Sequence, residues 1–300
     1  MLFFHILATV VLPIFVIIGV GFLVDRLFHL DMPTLSKLNF YVFIPALTFV
    51  KFLQSDLSMG DILRISAFAV LHMIILYGLS TALFSVRPLA KHRSLLTLSA
   101  IFCNVGNYGI PLTILAFGNG AVGVIAVLIL VQNLLTFTVG IVLFQEKREP
   151  AGASLKRLAG APMIYAIAIA LVLRALSLQP PPQIQVPLDH LAGGLVPIAL
   201  LTLGAQLSRN QREGHALPIA AVSGMRLFVS PLLAAALLPL FHFAPSVTPV
   251  LIVAAGMPVA MNVYILAAEY DRDANLSSQL VFWTTLVSAV TLSLILAVVR

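Results

Sequence analysis

Charged residues are scarce in this chain. Asp, Glu, Lys and Arg make up 9% of its 300 residues, hydrophobic residues make up 60%, and the mean hydropathy is +1.07. A soluble chain has roughly 25% charged residues, so the composition excludes a water-soluble globular fold. Apolar runs long enough to cross a hydrocarbon core, about 18 residues or more, recur from end to end. The sequence therefore describes an integral membrane protein without a separate soluble domain.

Cysteine is almost absent as well. The one cysteine, Cys103, cannot form an intramolecular disulfide, and no second thiol or nearby histidine accompanies it to make a metal site. No HExxH, GxSxG or phosphate-loop motif occurs. We therefore expect no cofactor, no metal and no enzymatic chemistry. The net charge of +6 arises mainly from basic residues in short loops, which membrane orientation explains better than nucleic-acid binding.

Apolar runs separated by polar or Pro/Gly-rich stretches predict an all-α protein of ten transmembrane helices. The predicted spans are residues 3–24, 37–53, 62–84, 94–117, 121–144, 161–177, 188–207, 216–240, 248–268 and 277–299. The first span has no basic leader region and no small-residue cleavage site, so we expect it to remain as a transmembrane helix. Ten spans place both termini on one side of the membrane.

Lys and Arg are unequally divided between the two sets of loops. One set carries twelve of them, whereas the opposite set, together with the C-terminus, carries four. Because Lys and Arg are retained in the cytoplasm, the first set faces inside and both termini face the non-cytoplasmic side. One basic residue, Arg226, remains within a span.

The longest polar loop, QEKREPAGASLKR, divides the chain into two sets of five spans. This predicts a first repeat at 1–146, a cytoplasmic connector at 147–159 and a second repeat at 160–300. Since five is odd, a second copy of a five-helix unit must be inverted in the membrane. Proline spacing is similar in the two halves. The matching prolines are Pro13, Pro45 and Pro111 in the first half and Pro162, Pro197 and Pro258 in the second.

Two of the predicted helices are interrupted near their centres. Span four contains NVGNYGIP at 104–111, and span nine contains GMPVAMN at 256–262. Proline removes an N–H donor and blocks the carbonyl four residues earlier, and glycine permits non-helical dihedrals. The freed groups would cost several kcal/mol each in lipid, so such breaks persist only in protein or beside a polar cavity. Two breaks at corresponding positions therefore favour a midplane site over a pair of structural kinks.

A broken helix offers an N-terminus that favours an anion and a C-terminus that favours a cation. Asparagine amides orient a substrate without the cost of a buried charge. The predicted substrate-binding residues are Asn104, Asn107, Pro111, Pro258 and Asn262. We expect the substrate to be a small organic anion. Whether transport is coupled to H⁺ or to Na⁺ stays open.

These segments also resemble a known family. FYVFIPALTF, NVGNYGIPLTILAFG and AAGMPVAMNVYILAAEYDRDANLSSQLVF are similar to segments of the auxin efflux carrier family, which includes the plant PIN proteins and bacterial permeases. The resemblance implies two inverted five-helix repeats, a scaffold domain, a transport domain and two helices that cross at their prolines. By this resemblance Pro111 and Pro258 are the crossover prolines, and Asn104 contacts the substrate. A bacterial inner membrane is the implied location.

The family resemblance has limits in this chain. The long central cytoplasmic loop of many plant members is replaced by a short one, so the substrate need not be auxin. The resemblance also makes Gln132 or Asn133 a support for the crossed backbone. These two residues are adjacent on a helix and point in different directions, so we expect at most one to face the crossover. Bonding to another helix is the default interpretation for either.

Two ionisable residues, His72 and Arg226, lie well inside predicted spans, where burial is costly. His72 relays a proton or, as we expect, is a neutral histidine bonded to another helix. Arg226 either balances an anionic substrate or extends its side chain to the cytoplasmic surface, and both interpretations stay open. The acidic stretch AEYDRD, with Glu269, Asp271 and Asp273, predicts a solvated turn rather than a Mg²⁺ site, because no second acidic cluster occurs.

The predicted function is secondary transport of a small organic anion, auxin-like or a dicarboxylate, by alternating access at the midplane site. The alternatives are a sodium-coupled carrier of the bile-acid type, an intramembrane enzyme and a receptor that does not transport. The expected partners are the substrate, the lipid bilayer and H⁺ or Na⁺, without nucleic acid. A homodimer is compatible with the sequence.

Overall fold

The computed structural model describes residues 2–55, 57–136, 160, 162–209, 214–269 and 273–299. Within these residues the secondary structure is helical, apart from an isolated antiparallel bridge between Cys103 and Val259. In chain order the main helices are α1 (Leu2–Phe28), α2 (Met32–Leu53), α3 (Met59–Phe84), α4 (Arg93–Ile101), α5 (Val105–Phe117), α6 (Asn119–Leu135), α7 (Pro162–Ala175), α8 (Pro182–Ser208), α9 (Ala216–Leu240), α10 (Thr248–Ala255), α11 (Met261–Glu269) and α12 (Ala274–Val299).

Six helices are long and apolar enough to cross a membrane, namely α1, α2, α3, α8, α9 and α12. This confirms the prediction of an all-α protein with several membrane-spanning helices. α5, α6 and α7 are shorter apolar helices. The end of the fifth predicted span and the predicted connector at 147–159 lie outside the described residues. The ten-span inverted repeat and the division into 1–146 and 160–300 therefore stay predictions.

Two long helices begin earlier than their hydrophobic pattern predicts, because capping residues precede the apolar run. Before α2, the Asp31 carboxylate accepts a hydrogen bond from the Thr34 N–H at 3.2 Å. Before α3, Ser58 and Asp61 form a reciprocal capping box. These side chains satisfy N–H groups that have no acceptor within the first helical turn. The polar first turns of α2 and α3 are thus helical.

Four prolines are each preceded by a wide π-helical turn. The turns are Leu7–Val11, Asn39–Phe43, Val105–Gly109 and Met225–Val229, and they end two residues before Pro13, Pro45, Pro111 and Pro231. A proline cannot donate to the carbonyl four residues earlier and its ring crowds that carbonyl, so the chain bonds five residues back in the preceding turn. Because the helix widens, it continues through each of these prolines.

The helices α1 and α8 pack backbone against backbone. A Cβ atom on Gly21 would clash with the carbonyl of Leu201, and one on Gly204 would clash with the carbonyl of Ile18. α8 also packs along α2, and α2 packs against α7. The helices α1, α2, α7 and α8 thus form one packed group, which we call the outer group.

The outer group is also joined by an ion pair. Asp25, buried near the end of α1, accepts a hydrogen bond from Arg209 Nη2 at 2.7 Å and another from the Ser208 hydroxyl. Both partners lie at the end of α8. Since the arginine bonds both carboxylate oxygens, the pair is bidentate. This contact fixes the ends of α1 and α8 together.

Candidate functional site

The breaks in the two interrupted helices meet inside the protein. Between α4 and α5, and between α10 and α11, the chain leaves the helix and the two segments run antiparallel. The Asn104 N–H donates to the Pro258 carbonyl at 2.8 Å, and the Ala260 N–H donates to the Phe102 carbonyl at 3.0 Å. We call residues 102–104 and 256–260 the crossing. The backbone groups freed by one break are thus partly satisfied by the other.

Two buried side chains hold the centre of the crossing. Gln132, from α6, accepts from the Cys103 N–H at 3.0 Å and donates to the Cys103 carbonyl at 2.6 Å. Thr284, from α12, accepts from the Val259 N–H at 3.1 Å. Without these acceptors, both N–H groups would be buried and unpaired. Gln132 is therefore placed where the family resemblance expects a support for the crossed backbone.

Three of the predicted substrate-binding residues converge beside the crossing. Asn104, Asn107 and Asn262 line one pocket of about 70 Å³, which we call the asparagine pocket. Asn104 is 6% exposed, and its Nδ2 has no hydrogen-bond partner among the described residues. Asn107 and Asn262 lie in the first turns of α5 and α11, where N–H groups have no acceptor within their own helix. The pocket therefore offers unpaired N–H donors beside amide side chains, which both donate and accept.

The asparagine pocket continues into a larger cavity of about 280 Å³, since Asn107 and Asn262 line both. The cavity extends between α2, α8 and α11. Among its described lining residues the single charged group is the ammonium of Lys37. The buried Gln206 Oε1, at the end of α8, has no hydrogen-bond partner among the described residues. In volume the cavity is near the lower end of the range for small-molecule sites, about 300 Å³.

Arg226 lies in an adjoining pocket of about 40 Å³, which shares Cys103, Val105 and Gln132 with the asparagine pocket, and the residue is 1% exposed. Nη1 donates to the carbonyls of Ala100 at 2.8 Å and Ile101 at 3.3 Å. Nη2 donates to the Ala255 carbonyl and, at 2.6 Å, to the Ser230 hydroxyl. The alternative that Arg226 extends to the cytoplasmic surface is therefore wrong, and a role in balancing an anionic substrate stays a prediction. Its guanidinium instead caps the C-terminal ends of α4 and α10.

His72 is bonded to a neighbouring helix, as expected. Its Nε2 lies 3.0 Å from the Ser230 carbonyl oxygen in α9, and a role in proton coupling stays a prediction. Ser230 was not singled out from the sequence, although it contacts both His72 and Arg226. The available signal was its spacing, since a residue four positions after Arg226 lies on the same helix face.

One expectation about the crossing, the position of Pro111, is wrong. Pro111 lies within α5, beyond the crossing. Span four leaves the helix at residues without proline, and Pro111 only widens the turn that precedes it, Val105–Gly109. Asn133 and Gln132 both line the asparagine pocket. Of the two, Gln132 is hydrogen-bonded to the crossing. Pro258 is placed as expected, and the substrate role of all these residues stays a prediction.

The acidic stretch after α11 is described only in part, since Asp271 lies outside the described residues. Asp273 accepts from the Leu276 N–H at 2.9 Å at the start of α12, and its carboxylate lies 3.6 Å from His92 Nδ1. Burial lowers the pKa of His92, and the Asp273 carboxylate opposes this shift. Among the described residues, no group of three or more His, Cys, Asp or Glu side chains is placed to hold a metal ion.

The whole chain is similar to known proteins. Residues 6–296 match the family described as "Membrane transport protein". A protein of Methanothermobacter thermautotrophicus named "Uncharacterized transporter" is 28% identical over 290 residues, which cover 95% of each chain. A protein of Rhizobium meliloti named "Putative malonate transporter" is 25% identical over 304 residues, which cover 97% of this chain and 95% of that one. Both alignments are long enough to include the crossing and the cavity.

Proposed function

The chain belongs to the membrane transport protein family, and from that premise we propose that it is a secondary transporter of small organic anions. The family match confirms the resemblance to auxin efflux carriers. It also identifies the chain as a multi-pass membrane transporter rather than an enzyme. One observation carries the proposal: two helix N-termini and three asparagines face the asparagine pocket, and the adjoining cavity has a lysine as its single charged lining residue among those described.

The chemistry of the cavity favours an anion. The N-termini of α5 and α11 carry partial positive charge and free N–H donors. Lys37 adds a full positive charge, and none of the described lining residues is a carboxylate. A carboxylate ligand only accepts hydrogen bonds, so it would satisfy the unpaired Nδ2 of Asn104 and the free N–H groups together.

The size of the cavity and one relative narrow the substrate class. A cavity of about 280 Å³ accommodates a short carboxylate more readily than a sterol or a long lipid. The name of the Rhizobium meliloti relative contains malonate, a three-carbon dicarboxylate. In this proposal the substrates are short mono- or dicarboxylates, and malonate is the first to test.

The packing of the helices supports an inverted repeat of two five-helix units. If α1 to α6 form the first unit and α7 to α12 the second, the contact of α1 with α8 corresponds to that of α7 with α2. Likewise α3 packs on α4 and α9 packs on α10. The side chains that bond to the crossing, Gln132 and Thr284, come from α6 and α12, which are the last helices of the two units. In this proposal the chain has ten spans, with α4/α5 and α10/α11 as the two broken ones.

Alternating access follows from the same arrangement. The cavity lies between the outer group and the helices that carry the crossing, and it extends toward Lys37 and Gln206. Those ends of α2 and α8 adjoin the basic loops, so they face the cytoplasm and the cavity opens inward. In this proposal α3–α6 and α9–α12 move the crossing past the outer group to expose it on the opposite side. The location is a plasma membrane, with both termini outside.

Counterflow in proteoliposomes tests the proposal. The purified protein is reconstituted with unlabelled malonate inside, and entry of labelled malonate is measured beside a panel of labelled mono- and dicarboxylates. We expect saturable entry of at least one short carboxylate, with no entry of amine cations of the same size. Binding without entry would identify a receptor, and a preference for the cations would overturn the anion proposal. Protein-free liposomes are the control.

A further inference from the structure

Arg226 is a buried cation that has no carboxylate partner among the described residues. The described residues around its pocket are apolar except for His72, Cys103 and Gln132. Four of its five N–H donors are used, three on carbonyl oxygens and one on the Ser230 hydroxyl. Burying an unpaired guanidinium is costly. The positive charge of Arg226 must therefore be compensated by the partial negative charges of the carbonyl groups.

Those carbonyls end two different half-helices. Ala100 and Ile101 close α4, and Ala255 closes α10. Each helix C-terminus carries about half a negative elementary charge, so two of them together amount to about one. One guanidinium therefore neutralises the pair. The Ser230 hydroxyl strengthens the arrangement, because it accepts from Arg226 and donates to the Ala255 carbonyl at 2.8 Å.

Carbonyls at half-helix C-termini are also the groups that coordinate a coupling Na⁺ in other carriers with broken helices. A Na⁺ ion at this position would need several oxygen ligands, and Arg226 already occupies the oxygens at both half-helix ends. It would also lie beside a fixed positive charge. The described residues of this pocket supply no carboxylate to compensate for that repulsion.

We infer that Arg226 is a built-in counter-cation, which takes the place of a coupling Na⁺ at the crossing and makes transport independent of Na⁺. The inference rests on the proposed function, since it concerns the energetics of the same anion site. It assigns the two ends of the broken helices separate roles: the N-termini face the substrate cavity, and the C-termini are neutralised permanently by the chain.

The wild-type protein provides the first test, and this test needs no substrate. Thermal unfolding in detergent is followed while NaCl replaces choline chloride at constant ionic strength. We expect the melting temperature to stay unchanged, because no vacant cation site exists at the crossing. A saturable rise with Na⁺ would overturn the inference. Counterflow under the same replacement should also be unchanged, and a requirement for Na⁺ would overturn it while leaving anion transport in place.

The second test replaces Arg226 by alanine and adds guanidinium ion to the solution. Arg226→Ala leaves a cavity of guanidinium shape between two negative helix ends, so we expect counterflow to fall by on the order of tenfold or more. Millimolar guanidinium should restore a large part of it, whereas urea, which is planar but neutral, should not. The matched control is Arg174→Ala, which removes another arginine bonded to a backbone carbonyl, that of Leu57. Guanidinium should leave that variant unchanged.

Each outcome decides the inference. Equal rescue by urea, or wild-type flux and stability in Arg226→Ala, would show that Arg226 does not act through its charge. If Arg226→Ala does not fold, Arg226→Lys is used instead. Because lysine keeps the positive charge, flux and melting temperature must stay independent of Na⁺. A dependence on Na⁺ would overturn the inference. If no anion is transported by any variant, the proposed function fails, and the melting experiments still decide whether Na⁺ binds.

Discussion

Asn104 is the residue with the most direct consequence for binding. Its Nδ2 is buried and unpaired among the described residues, so a bound anion would supply its missing acceptor. We expect Asn104→Ala to remove one or two hydrogen bonds to a charged ligand, about 1.5 to 3 kcal/mol, and to weaken affinity roughly 10- to 100-fold. Affinity is measured by counterflow at matched membrane expression.

The control for Asn104 is Asn119→Ala at the exposed start of α6, where affinity should be unchanged. Wild-type affinity in Asn104→Ala would contradict the placement of the substrate in the asparagine pocket. Asn262→Ala should act in the same direction, because Asn262 lines both that pocket and the larger cavity.

A second prediction about a single side chain concerns the hydrogen bond between Thr284 and the Val259 N–H. Thr284→Val keeps the shape of the residue and removes the acceptor of the buried Val259 N–H. Leaving that donor unpaired should lower the free energy of unfolding by about 1 to 3 kcal/mol. Thr285→Val is the matched control, since its hydroxyl donates to the Val281 carbonyl of its own helix. Equal melting temperatures for the two variants would show that the Thr284 contact does not hold the crossing.

Site residues were predicted from the sequence where a polar side chain was unusual for its surroundings. Asparagines in an interrupted apolar helix stand out, and Asn104, Asn107 and Asn262 do share one pocket. Thr284 and Ser230 gave no such signal, because hydroxyl side chains in apolar helices commonly bond to a carbonyl of the preceding turn. Their contacts with other helices depend on tertiary packing, which periodicity does not describe.

At the scale of the helix, a proline does not by itself mark the position where a helix breaks. The sequence predicted an interruption over residues 104–111, but the chain widens into a π turn at Val105–Gly109 and continues through Pro111 as α5. The real break in span four, at residues 102–104, contains no proline. It is stable because its backbone groups bond to the second broken helix and to Gln132. These partners are over a hundred residues away or lie in the next helix, so local sequence does not specify them.

Close packing of α1 on α8 gives a prediction about one helix pair. Gly204 lies against the Ile18 carbonyl, so Gly204→Ala must push the two backbones apart, and overpacking of this kind costs about 1 to 3 kcal/mol. We expect a lower melting temperature in detergent. Gly193→Ala, on the same helix with open space around its Cα, should be neutral or slightly stabilising. A Gly204→Ala protein as stable as Gly193→Ala would contradict the packing.

At the scale of the whole molecule, the inverted repeat makes a prediction about sidedness. Single cysteines at the exposed positions of Asn119 and Ser246 should react with an impermeant thiol reagent from outside the cell. Cysteines at Lys91 and Gly214 should not, because the basic loops face the cytoplasm. The wild-type chain is its own control, since Cys103 is buried. Labelling of the Lys91 and Gly214 positions in intact cells would contradict the proposed topology.

The overall architecture was easier to predict than its details. Composition and span length alone indicated a multi-pass helical protein, because the bilayer fixes how long and how apolar a crossing helix must be. Helix ends were less accurate where polar caps such as Ser58 and Asp61 extend α3 beyond the apolar run. The meeting of the two broken helices could be expected from the inverted repeat, but the register of the crossing had to come from the structure.

The crossing is built from main-chain atoms, and this has an evolutionary consequence. Its central contacts join the N–H of Asn104 to the carbonyl of Pro258 and the N–H of Ala260 to the carbonyl of Phe102, and every residue type except proline has both groups. Mutations in the neighbouring side chains can therefore alter which ligand is recognised while the frame that presents them persists. Such a separation means that a few replacements around the crossing are enough to change the ligand without a new fold.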